Sequence, residues 1–201
     1  MKQVRRYKSA RPPRSAVRSA AIRQNSSRSQ LRSSVRLAAG GVLAGAAGTA
    51  AMDTLLYLRS RRAGLQEGPL DWEFSSGVTS WSDVSAPGLV GKRLLEGFMG
   101  RAVSDQRARS VQNAVHWGTG ASWGTLLGLI VGPVAQPALI GGLVFGPIVW
   151  LSGYVLLPIG KIYKPMWDYD AKTLAKDLSA HMVYGVTAGT VLAAVTRRSL
   201  S

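Results

Sequence analysis

Six side chains in this 201-residue sequence have the types needed for acid–base or ligand chemistry within an otherwise apolar setting: Asp53, His116, Trp150, Tyr154, Asp177 and His181. Histidine changes charge near neutral pH, and a neighbouring carboxylate strengthens its hold on the proton. Asp53, His116 and His181 together therefore suit a proton-titrating or cation site. Two histidines and one carboxylate are also the inventory of a transition-metal centre. Here, however, they lie on three separate segments with no motif spacing, so no metal site is assigned. The third reading is structural: polar side chains near the interface hydrogen-bond between helices and fix register, with Trp150 and Tyr154 as interfacial anchors. A Gly-rich phosphate loop and paired metalloprotease histidines are missing from the sequence. The sequence has no cysteine, which removes disulfides and thiolate chemistry. The expectation is a non-enzyme with no cofactor.

The elements that must carry these residues are four apolar blocks. Hydrophobic residues make up 46% of the chain and charged residues 17%, below the roughly 25% usual in soluble domains. The blocks are 37–58, 111–132, 138–157 and 179–196. A helix of 22 residues, the length of the first block, spans about 33 Å, enough for a bilayer core. The first block, rich in Ala and Gly, also resembles the apolar core of a signal peptide, but the 36-residue basic lead is too long for one. Arg5-Arg6 is too distant for a twin-arginine signal. A mitochondrial presequence fits the Arg- and Ser-rich tail but not its lack of a sustained amphipathic helix.

Each block carries small residues at a spacing of four: Gly41, Gly45 and Thr49; Gly120, Gly124, Gly128 and Gly132; Gly142 and Gly146; Gly185, Gly189 and Ala193. Lipid tails are as apolar as leucine, so helices in a bilayer associate through close backbone approach, which small residues permit. One step further along, the rows reach Asp53, His116, Trp150 and Tyr154, and His181 followed by Asp177. A step of four drifts only about 40° around a helix, so these residues stay near the packing face. Because successive helices alternate in direction, all of them belong towards one side of the membrane. Ionisable groups within a membrane face the interior. The sequence thus predicts a polar cluster at one mouth of the bundle.

Between the first two blocks, residues 89–103 form an amphipathic helix with Val90, Leu94, Leu95, Phe98, Met99 and Ala102 on one half. It is expected either in the membrane interface or packed on the bundle's end. Before the third block's partner, the segment 154–185 carries Tyr163, Trp167 and Tyr169 among prolines, aspartates and lysines, and reads as a re-entry loop or a lid over the cluster. Asp177 is placed to cap the fourth block.

Net charge is +15, and Lys2, Arg5, Arg6, Lys8, Arg11, Arg14, Arg18, Arg23, Arg28, Arg32 and Arg36 supply 11 of the 25 basic residues with no acid among them. Such a segment is expected to be disordered. Its partner is anionic lipid headgroups, at roughly 1 kcal/mol per basic residue near the surface. Nucleic acid is disfavoured, because Tyr7 is its single aromatic. A solvated tail with no partner fits equally. The tail's 11 basic residues plus Arg197 and Arg198 place 13 on the side of both termini, against 12 in the longer loops, which predicts cytoplasmic N- and C-termini.

HWGTGASWG together with YVLLPIGKIYKPMWDYDAKTLAKDLSAHMVYG resembles uncharacterised multi-pass membrane proteins of actinobacteria, and more distantly the YagU-like inner-membrane group. The resemblance covers residues 37–195. It implies a bacterial inner membrane and carries no activity. The combined expectation is an all-α protein: a disordered basic tail (1–36) and a four-helix transmembrane bundle (37–198) with an interfacial amphipathic helix. Its function is expected to be structural or scaffolding, packed with itself as a homo-oligomer or with a membrane-complex partner. The alternative is a small proton- or ion-linked channel or transporter using the Asp/His cluster.

Overall fold

The structure is a computed structural model that describes the backbone of residues 14–131 and 138–197, and the side chains of 24–131 and 142–196. Gly132, the link 133–137, Arg198 and the first 13 residues of the tail lie outside the described residues. The described residues form six helices, two short 3₁₀ turns and no strand: α1 (Arg14–Arg62), α2 (Pro69–Glu73), α3 (Ala86–Met99), α4 (Ala108–Val131), α5 (Ala138–Ile159) and α6 (Ala171–Arg197). Residues up to Arg36 and residues from Leu37 onward form separate units. In the first unit, residues 14–36 are helical where charge repulsion predicts disorder, and side chains 24–36 are all exposed. Among its serines the stretch carries Arg, Ala and Gln, all good helix formers, and it contains no proline after Pro13.

Three helices are long and apolar enough to cross a membrane: residues 24–62 of α1, 142–159 of α5 and 171–196 of α6. α4 is not among them, because Arg109, Gln112, Asn113 and His116 in its first half, with Thr119, Ser122 and several glycines after them, dilute its apolar character. Its second half nonetheless exposes Leu126, Leu129 and Ile130, and α5 exposes Val144, Ile148, Leu151, Val155 and Ile159. On α5 these recur at steps of three and four, an apolar stripe turned outward.

The small-residue rows are consumed inside the chain. A Cβ at Gly41 would strike the Gly124 carbonyl, at Gly45 the Gly120 carbonyl, at Gly124 the Gly41 carbonyl and at Gly128 the Leu37 carbonyl. α1 and α4 therefore run antiparallel in backbone contact. On the second seam, Gly142 faces the Gly185 carbonyl and Gly146 the His181 carbonyl, 2.5 and 2.6 Å from where a Cβ would sit. Gly189 is buried further along α6. The two seams join where Gly48 of α1 meets Tyr184 of α6, and the Tyr184 hydroxyl donates to the Gly120 carbonyl of α4 at 2.7 Å. Ala44, Leu127, Phe145, Tyr184, Ala188 and Leu192 form the core around this junction.

Two boundaries differ from the sequence reading. α6 begins at Ala171, eight residues before the expected start at 179. The Asp170 carboxylate accepts from the Thr173 amide at 3.0 Å and from its hydroxyl at 2.6 Å, so Asp170 and not Asp177 caps the helix. These bonds hold the Asp170 carboxyl below its ordinary range. The amphipathic helix spans Ala86–Met99 and ends on left-handed Gly100 (φ 64°). Its apolar half does not act as one face. Gly88 and Gly91 approach α4, Gly91 against Val111 and Val115. Leu95 and Met99 cover a small core of Trp81, Val103 and Ala108, while Leu94 and Phe98 point outward.

Candidate functional site

The α1–α4 seam carries its own extension. Gly45 lies opposite Gly120, and one turn nearer the helix ends Thr49 abuts Gly120. One further turn brings Asp53 to His116, with Asp53 Oδ2 and His116 Nε2 2.7 Å apart. Asp53 is 3% exposed, deeper than any other charged side chain among the described residues. A carboxylate in such a place is costly unless it is paired, and His116 is the pairing group.

A third group completes the constellation. The single-turn helix α2, started by Pro69 and ended by Phe74, places Glu73 so that Asp53, Glu73 and His116 offer donor atoms all within 4.8 Å of one another. The segment is pinned from both sides. The Tyr57 hydroxyl donates to the Glu67 carbonyl at 3.1 Å and its ring packs on Trp72. From α4, Arg109 and Asn113 donate to the Phe74 carbonyl at 2.8 and 2.9 Å. Burial pushes the Glu73 carboxyl up to about 7; the charge of Asp53 and a hydrogen bond to it act the same way, and His116 opposes them. One Glu73 carboxyl oxygen is buried without a hydrogen-bond partner. A protonated Glu73 can donate towards Asp53, whose other partner is His116. An ion at this place would have to part the 2.7 Å Asp53–His116 bond.

His181 does not join this trio. Its Nδ1 lies 3.0 Å from the Asp177 carbonyl and 3.5 Å from the Asp177 carboxylate, both on its own helix. The donor set of two histidines and one carboxylate that the sequence offers is thus not assembled. Trp150 and Tyr154 pack ring to ring, with centroids 5.3 Å apart, and Tyr163 and Tyr169 close on Tyr154 at 5.5 and 5.4 Å.

Both histidine pairs border one cavity of about 430 Å³. Its wall includes His116, Trp150, Tyr154, Tyr163, Asp177 and His181, with Pro87 and Val90 of α3 at the edge. Asp53 reaches the cavity through His116. The cavity's size falls within the range of small-molecule pockets. Glu73 is the residue that sequence reasoning missed. The Gly-Pro before LDWE signals a helix start, but nothing local shows that this turn folds back onto α1.

Fold and site define an all-helical protein with helices apolar enough to cross a membrane and an acid–histidine constellation beside a chamber. No protein family, no curated protein and no solved structure matches the chain.

Proposed function

We propose that this is a four-span carrier or channel of a bacterial inner membrane, in which proton binding at Asp53, Glu73 and His116 is linked to occupancy of the adjoining chamber. The observation that carries the reading is the buried Asp53–His116 bond at 2.7 Å, with Glu73 beside it. A buried pair of this kind adds little to stability compared with apolar packing, and ionisable groups within a membrane mark ion and proton pathways. The fourth span is α4. It lies in backbone contact with α1 from Leu37–Gly128 to Thr49–Gly120, so it shares the depth of a helix that is apolar enough to span. An even number of spans agrees with both termini being cytoplasmic, where the basic tail meets anionic headgroups.

The scaffold reading retains one supporting observation, the outward apolar stripes on α4 and α5. The small-residue rows no longer favour it, because their partners lie within the same chain.

The test is proton flux into liposomes containing the purified protein under a pH gradient. Wild type should conduct or exchange protons, and Asp53→Asn should abolish this while the protein stays folded. Equal flux from the two proteins, or none from either, would return the function to scaffolding.

A further inference from the structure

The chamber's wall has a chemistry of its own, apart from the trio that borders it. Among its lining residues there is no lysine or arginine, and Asp177 is the one carboxylate. An anionic solute would find no fixed positive charge there. The two cationisable groups, His116 and His181, each face an aspartate already. Beside Asp177 the wall is aromatic: Trp150, Tyr154 and Tyr163 all line the cavity. Tyr154 holds the centre of a ring cluster, 5.3 Å from Trp150, 5.5 Å from Tyr163 and 5.4 Å from Tyr169. Burial, with Asp177 and Tyr169, pushes the Tyr163 phenol above its ordinary range, as expected where the local field is negative and the rings stay neutral.

Aromatic faces attract cations through the ring quadrupole, most strongly where water is excluded, and such walls recognise alkylated ammonium groups. A carboxylate set among them adds charge selectivity. Asp177 already interacts with the Tyr154 hydroxyl, but its ion pair with His181 is long at 3.5 Å and its side chain is 32% exposed, which leaves room for a cation beside it. Inorganic cations fit poorly, since they demand several oxygen ligands and the wall beside Asp177 offers mainly rings.

We infer that the chamber binds an organic monocation, an amine or quaternary ammonium group seated between Asp177 and the rings of Trp150, Tyr154 and Tyr163. The inference rests on the chamber being the substrate compartment of the carrier or channel proposed above. It gives the trio a partner in charge: a cation at Asp177 and a proton at Asp53–Glu73–His116 would compete across one cavity.

The experiment is calorimetric titration of the purified full-length protein in detergent with choline and with its uncharged isostere 3,3-dimethylbutan-1-ol. Choline should bind and the alcohol should bind at least about ten-fold more weakly. Asp177→Asn should weaken choline by about ten-fold or more, and Tyr163→Ala, in a loop outside the helices, should weaken it severalfold. Equal binding of the two probes, no choline binding to wild type, or choline binding that is unchanged in both variants would overturn the inference. The proton-flux assay on Asp53→Asn is independent of these titrations. Flux lost in Asp53→Asn with no choline binding defeats only the substrate class. Choline binding with unaltered flux in Asp53→Asn defeats the proton linkage and leaves the cation site standing.

Discussion

Two carboxylate–histidine pairs border the same chamber, and they are built on different principles. Asp177 and His181 are four residues apart on α6, 3.5 Å apart, with 32% and 22% of their side chains exposed. Any helix with that spacing offers such a pair, whatever surrounds it. Asp53 and His116 are 63 residues apart, meet at 2.7 Å, and leave only 4% of the Asp53 side chain exposed. That pair exists because two glycine rows let α1 and α4 touch backbone to backbone. The first pair is a property of a helix; the second is a property of the fold. A paired group that depends on the fold can report what the fold encloses, whereas the local pair leaves its carboxylate available to the chamber.

The strongest way to break the comparison is to part the seam. Gly124→Val would drive a side chain into the Gly41 carbonyl and the Gly45 backbone, where no flexible group can yield. We expect a loss of about 3 kcal/mol, seen as a large drop in thermal stability in detergent, with the Asp53–His116 pair lost and the Asp177–His181 pair intact. Next, Asp53→Ala should cost about 1–3 kcal/mol, because it leaves His116 without its hydrogen-bond partner in the seam. Asp177→Ala should stay within about 1 kcal/mol, since the pair is partly exposed and 3.5 Å long. Comparable losses from the two alanine variants would erase the distinction.

A third prediction concerns pH. Glu73 titrates near 4.5 in an unfolded chain and about 7 in the folded one. A raised pKa means that the folded state binds the proton more tightly. Its contribution is therefore fully present below about pH 4.5 and is lost as pH rises through about 7. Melting temperature should fall across that window, and Glu73→Gln should flatten the slope and stabilise the protein above pH 7. A wild-type slope retained in Glu73→Gln would place the titration elsewhere. The smallest effect is expected from Tyr184→Phe, which removes the 2.7 Å hydrogen bond to the Gly120 carbonyl but keeps the ring. It should cost about 1 kcal/mol by the same thermal measurement.

What the sequence made legible follows from what is local in a helix. The spacing of four along each block is fixed by helical period, so extending the rows to Asp53 and His116 carried them to the packing face, and they meet there. The same extension placed His181 on the α5 seam, where its carbonyl faces Gly146, but it does not dictate which way an imidazole turns, and His181 turned to its own helix. Glu73 was not legible, because a five-residue helix acquires its position from Tyr57, Arg109 and Asn113, all distant in sequence. The start of α6 was hidden for a different reason. Its first turns are polar and lysine-rich, so the apolar run begins well after the Asp170–Thr173 cap. α3 misled through its glycines: a hydrophobic pattern shows apolar bulk, but the contact with α4 is made where side chains are smallest.

Proton handling is assigned to the fold-dependent pair and not to the local one. The most direct measurement is proton flux into liposomes by His116→Gln and His181→Gln, side by side with wild type under one pH gradient. Flux should be lost in His116→Gln and retained in His181→Gln. Retained flux in His116→Gln, or equal loss in the two variants, would contradict this assignment.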